Sequence, residues 1–193
     1  MQRALIAARF LMALALCLLL ANCAIRNPDA APLVELPAIR LAPAALERSL
    51  ALEQQLVFVR DGQRREFDAL LEADAAQVRL LVQAMGQSAV RLVWDGQRLD
   101  ERRAAWLPPQ VRGERVLGDL QFALWPLPAV RAALPPGWQV EETGNERRLL
   151  DTQGRVCLVV VYEEDGWGNL RLHNLLEGYE LEVRSMPVQE DAP

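Results

Sequence analysis

The chain has no lysine, and all 21 of its positive side chains are arginine, against 26 acids and a formal net charge of −5. No segment gathers those arginines into a basic stripe, so the chain is not expected to bind nucleic acid. Histidine occurs once, as His173, in an alternating stretch beside Arg171 where a surface position is expected. One histidine and three cysteines rule out the usual zinc-ligand spacings. No glycine loop has the spacing that cradles phosphate. Gly86-Gln87-Ser88-Ala89-Val90 lacks the second glycine of a nucleophile elbow. Glu163-Glu164-Asp165 lacks the alternate spacing of a calcium loop and reads as a solvated turn. A carboxylate pair for hydrolysis stays open, but no pair is singled out. The chain is therefore expected not to be an enzyme and to need no cofactor.

The longest apolar run, Phe10 to Ala21, is too short to span a bilayer. Arg3 and Arg9 precede it without any acid, and Cys23 follows it after Leu20-Ala21-Asn22. A basic start, an apolar centre and a small-residue end make a secretory signal over residues 1–22. Its end at a cysteine resembles the lipobox of bacterial lipoproteins, although Asn22 stands where Gly, Ala or Ser is usual. Lipidation of Cys23 is expected; the alternative is an ordinary cleaved signal with Cys23 incidental. Ala24 stands where an Asp would resemble the inner-membrane retention signal, so the expected location is the outer membrane, anchored by lipid and facing the periplasm. Loss of Arg3 and Arg9 leaves the remaining chain two units more negative. Cys17 departs with the signal and Cys23 is acylated, so Cys157, in a run of valines, has no disulfide partner and reads as a buried thiol.

Pro28, Pro32, Pro37 and Pro43 among small residues make residues 23–45 an extended tether, at about 3 Å per residue. The folded domain is placed at residues 46–193. Its apolar pattern has period two: Phe67, Ala69 and Leu71; Val78, Leu80 and Val82; Val90, Leu92 and Trp94; Leu170 and Leu172; Tyr179, Leu181 and Val183. Asp61-Gly62, Asp95-Gly96 and Gly144-Asn145 supply turn pairs. Leu117, Leu120 and Leu124 instead repeat at helical spacing within Glu114 to Trp125. Leu127, Val130 and Leu134 do so between Pro126 and Pro135. The expected fold is mainly β: a curved antiparallel sheet, or unclosed β-barrel, of about ten strands with two short plug helices over its apolar face.

The order of lipobox, Pro-rich tether, strands, two helices and strands resembles that of the outer-membrane lipoprotein receptor LolB and its periplasmic carrier relative LolA. Val116-Leu117-Gly118-Asp119-Leu120 followed by Trp125-Pro126-Leu127-Pro128-Ala129-Val130-Arg131 carries the local likeness. Leu120-Gln121-Phe122-Ala123-Leu124-Trp125-Pro126 and Glu177-Gly178-Tyr179-Glu180-Leu181 are similar to a family of short bacterial lipoproteins often encoded with aryl-polyene biosynthesis genes. The resemblance implies a cavity for the acyl chains of a lipidated client, received from a periplasmic carrier or inner-membrane exporter by a monomer. Val78, Leu80, Leu92, Trp94, Leu117, Leu120, Leu127 and Val130 are the candidate lining. It also implies a membrane-touching residue after the third strand, here Met85, with Ala84 replacing the receptor's proline. Trp106 and Trp167, in loop-like stretches, either cap the core edge or touch headgroups. Periodicity reports burial and not emptiness. A filled interior, in a structural or accessory protein of an envelope assembly, is the alternative to a ligand cavity.

Overall fold

The computed structural model describes residues 35–108, 111–163 and 168–189. Asn22, Cys23, Glu164, Asp165, Trp167 and the tether up to residue 34 lie outside the described residues. Among the described residues there are ten strands: β1 (Leu50–Arg60), β2 (Gln63–Ala73), β3 (Val78–Ala84), β4 (Gln87–Trp94), β5 (Leu99–Arg103), β6 (Gln139–Thr143), β7 (Glu146–Leu150), β8 (Val156–Tyr162), β9 (Leu170–Asn174) and β10 (Tyr179–Pro187). They form one antiparallel sheet in the order β5-β4-β3-β2-β1-β10-β9-β8-β7-β6. The first and last strands pair at its centre, Leu56 opposite Val183 and Arg60 opposite Tyr179. The two halves spread outward from that seam, and β5 and β6 are left as edges. The sheet is not closed.

The period-two pattern sets which face is buried. Along β3, Val78, Leu80 and Val82 are buried while Arg79 and Gln83 are exposed. One-residue slips in pairing at Val82/Gln83 and Leu149/Leu150 add local twist, which curls the sheet. Asp61 (φ 50°) with Gly62 (φ 73°) makes the β1–β2 turn, and Met85 (φ 50°) with Gly86 (φ 73°) makes the β3–β4 turn. Both central residues at positive φ suit the right-handed strand twist of a two-residue hairpin. Asp95 shapes the β4–β5 turn by accepting the N–H groups of Gln97 and Arg98 at 2.8 and 2.7 Å.

Two helices, α1 (Gly113–Leu124) and α2 (Leu127–Ala133), occupy the connection between the edge strands. Gly113 donates its N–H to Glu101 Oε1 at 2.9 Å, and a Cβ there would come within 2.7 Å of that carboxyl. The other end of α1 is tied down from β7 and β8. Arg147 donates to the carbonyls of Phe122 (2.6 Å) and Trp125 (2.8 Å), and the Tyr162 hydroxyl donates to Ala123 O at 2.8 Å. These bonds satisfy last-turn carbonyls that a helix cannot satisfy itself. Cys157 is fully buried.

The expected tether needs correcting at its far end. Its residues 36–45 are built into the domain as a strap rather than hanging free: Leu36, Ile39 and Leu41 are buried in the common core, together with Leu46 of the short 3-10 turn Pro43–Leu46. Leu41 is fixed by Gln121 and Trp94, and Ala42 O accepts from the Trp125 indole at 3.1 Å. Pro37 and Pro43 keep residues 36–42 out of helix and strand but do not prevent burial of Leu36, Ile39 and Leu41.

Candidate functional site

The strap divides the concave face of the sheet. One half, at the end carrying the β4–β5 turn, is filled by the strap. The other half, toward the β1–β2 hairpin tip, encloses a cavity of about 460 Å³, within the range of small-molecule sites. Leu56 and Phe58 from β1, Phe67 from β2, Leu181 from β10, and Val116 and Leu120 from α1 wall it. All six are only half-buried, because their inner surfaces face space rather than one another. Phe58 and Tyr179 lean together with ring centroids 5.3 Å apart.

The phase of α1 separates cavity from core. Val116, Asp119, Leu120 and Ala123 line the cavity. Glu114, Gln121 and Trp125, on the opposite flank, meet Arg40, Leu41 and Ala42 of the strap. The candidate lining therefore needs correcting too. Leu80 and Leu120 do line the cavity. Val78, Leu92, Trp94, Leu117 and Val130 are at most 3 % exposed and belong to the packed core. Leu127 is half-buried against that core and does not face the cavity. Trp94 shows the cause, since its indole donates to Leu41 O at 2.7 Å and the strap occupies the space in front of it. Phe67 and Leu181 were visible in the alternation but could not be told from core. Leu56 and Phe58 lie in the run Leu56-Val57-Phe58-Val59, where apolar residues on both faces hide the inward pair.

Polar groups collect at the hairpin-tip end, where Asp61, Gln63, Arg65 and Arg112 are exposed while lining the cavity. This end is its mouth. Just inside, Asp119 accepts a hydrogen bond from the Tyr179 hydroxyl and lies 3.9 Å from Arg115, which pairs with Glu177 at 2.9 Å. Asp119 Oδ1 is buried without a hydrogen bond. Burial pushes the Asp119 carboxyl up to about 7, against the lowering effect of Tyr179 and Arg115. Burial, helped by the facing carboxylate, also raises the Tyr179 phenol well above its ordinary value.

Residues 51–187 match the family described as Protein of unknown function (DUF3261). The chain belongs to this family. The matched span runs from the second residue of β1 to the last of β10, so the DUF3261 region holds all ten strands, both helices and the walls of the cavity, while the strap precedes it. No curated protein matches the chain.

At the mouth end of the sheet, the β3–β4 turn presents Met85 with 97 % of its surface exposed. Trp106, just beyond β5, and Leu175 and Leu176, in the β9–β10 turn, are exposed at the same end. For Trp106, 48 % exposure does not fit a core-edge cap. His173 lies on the outer face, 3.4 Å from Glu180. Among the described residues no helix is long and apolar enough to cross a membrane.

Proposed function

We propose that this chain is a LolA/LolB-like, non-enzymatic lipoprotein that binds an acyl or polyene-lipid client in the cavity between α1 and the β1–β2–β10 seam. On this reading it is anchored in the outer membrane through Cys23, faces the periplasm, and passes the client from a carrier or exporter to the bilayer. The observation that carries the reading is the 460 Å³ cavity walled by half-buried leucine and phenylalanine. A hollow with such walls gives up dispersion contacts, and an apolar chain restores them while leaving water, at about 25 cal/mol per Å² buried.

Met85 supports the membrane end of the proposal. The β1–β2 turn places Asp before Gly, a favoured pair at positive φ, whereas the β3–β4 turn places Met in the same left-handed conformation. An exposed apolar side chain held where Asn or Asp would be easier suggests a role outside the fold. Trp106, Leu175 and Leu176 would reach the headgroup region with it, so the mouth would open toward the membrane.

The test is titration of the purified chain with a neutral apolar fluorophore, phenylnaphthylamine, followed by displacement with dodecanoate. Saturable binding that Leu120→Trp removes without lowering the melting temperature is the expected result. A folded protein that takes up neither compound would sink the proposal and leave the filled, accessory protein as the better account.

A further inference from the structure

The mouth of the cavity sets unpaired positive charge beside an apolar lining. Acids outnumber arginines in this chain, and on the outer surface Arg64, Arg79, Arg98, Arg148 and Arg184 each hold a carboxylate, while the exposed Arg48, Arg91, Arg102 and Arg131, away from the cavity lining, hold none among the described residues. At the cavity the three lining acids are already engaged. Asp119 and Glu177 share Arg115, and Asp61, with 89 % of its side chain exposed, lies 3.8 Å from Arg60. Arg65 and Arg112 line the same cavity, one on the inner face of β2 opposite Phe58 and the other immediately before α1. Neither guanidinium has an ion pair or hydrogen bond among the described residues, although the Arg112 carbonyl accepts from Arg115 and Val116. Two unpaired guanidinium groups thus stand over a pocket whose walls below them are leucine, valine and phenylalanine.

We propose that the cavity selects an amphiphile with an anionic head, carboxylate or phosphate, held by Arg65 and Arg112 while its apolar chain lies against Leu56, Phe58, Phe67 and Leu120. The inference rests on the lipid-cavity reading and adds the class of head group. A guanidinium presents paired donors that match the two oxygens of a carboxylate or phosphate. Because both arginines are exposed, water screens them and a head alone gains little. The chain supplies affinity, and the arginines supply orientation and choice of head. An apolar pocket without them would accept alcohol and acid alike.

The experiment compares dodecyl phosphate, dodecanoate and dodecanol as competitors for phenylnaphthylamine bound to the full chain, at low and high salt. Dodecyl phosphate and dodecanoate should outcompete dodecanol by about tenfold at low salt, and the gap should close as salt rises. Arg65→Gln with Arg112→Gln should remove the gap while leaving dodecanol affinity and the melting temperature unchanged. Equal competition by all three in the wild-type chain overturns the head-group assignment and leaves the cavity standing. Competition by none, with the protein folded, overturns both. If inorganic phosphate displaces dodecyl phosphate at equal concentration, the mouth is a site for free anions and the amphiphile proposal fails.

Discussion

The side-chain amide of Gln121 grips the backbone of Leu41 from both sides: the Leu41 N–H donates to Gln121 Oε1 at 2.9 Å, and Gln121 Nε2 donates to Leu41 O at 2.8 Å. A glutamine on α1 thereby does for the strap what a neighbouring strand does for a sheet edge. Gln121 is fully buried, so neither group has water as an alternative partner. This contact holds the strap in one half of the concave face and leaves the other half open.

Replacing Gln121 by Leu should cost about 2–4 kcal/mol, since it strands the Leu41 N–H and takes one of two donors from its carbonyl. Urea unfolding checks this, with a lower midpoint and an unchanged slope expected. A midpoint equal to wild type would mean that the strap is not seated by this pair.

Two leucines that the sequence marks alike as inward-facing should behave differently. Leu92 is fully buried in the core, so Leu92→Ala should cost about 2–5 kcal/mol. Leu120 already faces space on one side, so Leu120→Ala should cost less, about 1 kcal/mol, while weakening phenylnaphthylamine binding. Equal losses of stability would argue that the cavity collapses in solution.

Arg147 is buried, chelates Glu142 at 2.7 Å, and faces the Phe122 and Tyr162 rings at 6.0 and 5.7 Å. Arg147→Met should cost about 2–4 kcal/mol, because it strands the Phe122 carbonyl in the last turn of α1 and the Trp125 carbonyl that follows it. Glu142 is partly exposed, so Glu142→Gln should cost less. Thermal melts of both variants order them; the reverse order would assign the effect to the ion pair instead of the cap.

Asp119 predicts a fall in stability with rising pH. Its folded pKa of about 7 lies above the ordinary 3.8, so the folded state binds the extra proton between those values. The contribution is fully present below about 3.8 and is lost as pH rises through about 7, by as much as about 4 kcal/mol in total. Asp74 and Asp95, lowered by backbone N–H bonds, act in the opposite sense and below that window. Asp119→Asn should therefore flatten unfolding free energy against pH from about 4 to 7; an unchanged slope would place the titration elsewhere.

Met85→Asn should raise stability by about 0.5–1 kcal/mol by easing the left-handed turn. It should also weaken association with vesicles of phosphatidylethanolamine and phosphatidylglycerol. Unchanged vesicle binding would remove Met85 from the membrane contact.

Much of the fold was legible along the chain because a half-buried sheet writes its two faces as alternation. Leu80 opposite Leu92, and Leu120 on a helix broken by Pro126, could be placed on the inner face without coordinates. The strap was not legible. Leu36, Ile39 and Leu41 have no period, and Pro37 and Pro43 mask a segment whose hydrogen bonds come from Trp94, Gln121 and Trp125, distant in the sequence. The lining was legible only in part for the same reason: inward-facing positions look alike whether another segment fills the space before them or not.

The sequence by itself determined the alternating strands, the turns at Asp61-Gly62 and Gly144-Asn145, and the helical stretch within Glu114 to Trp125, because each depends on local dihedrals and local burial. Only the tertiary structure decided that β1 meets β10, that the strap fills one half of the concave face, and that Leu56, Phe58 and Leu120 look into a cavity while Trp94 and Leu117 do not. Those outcomes depend on which distant segment arrives to cover an apolar surface, and hydrophobic attraction has no direction with which to write that partner into the chain.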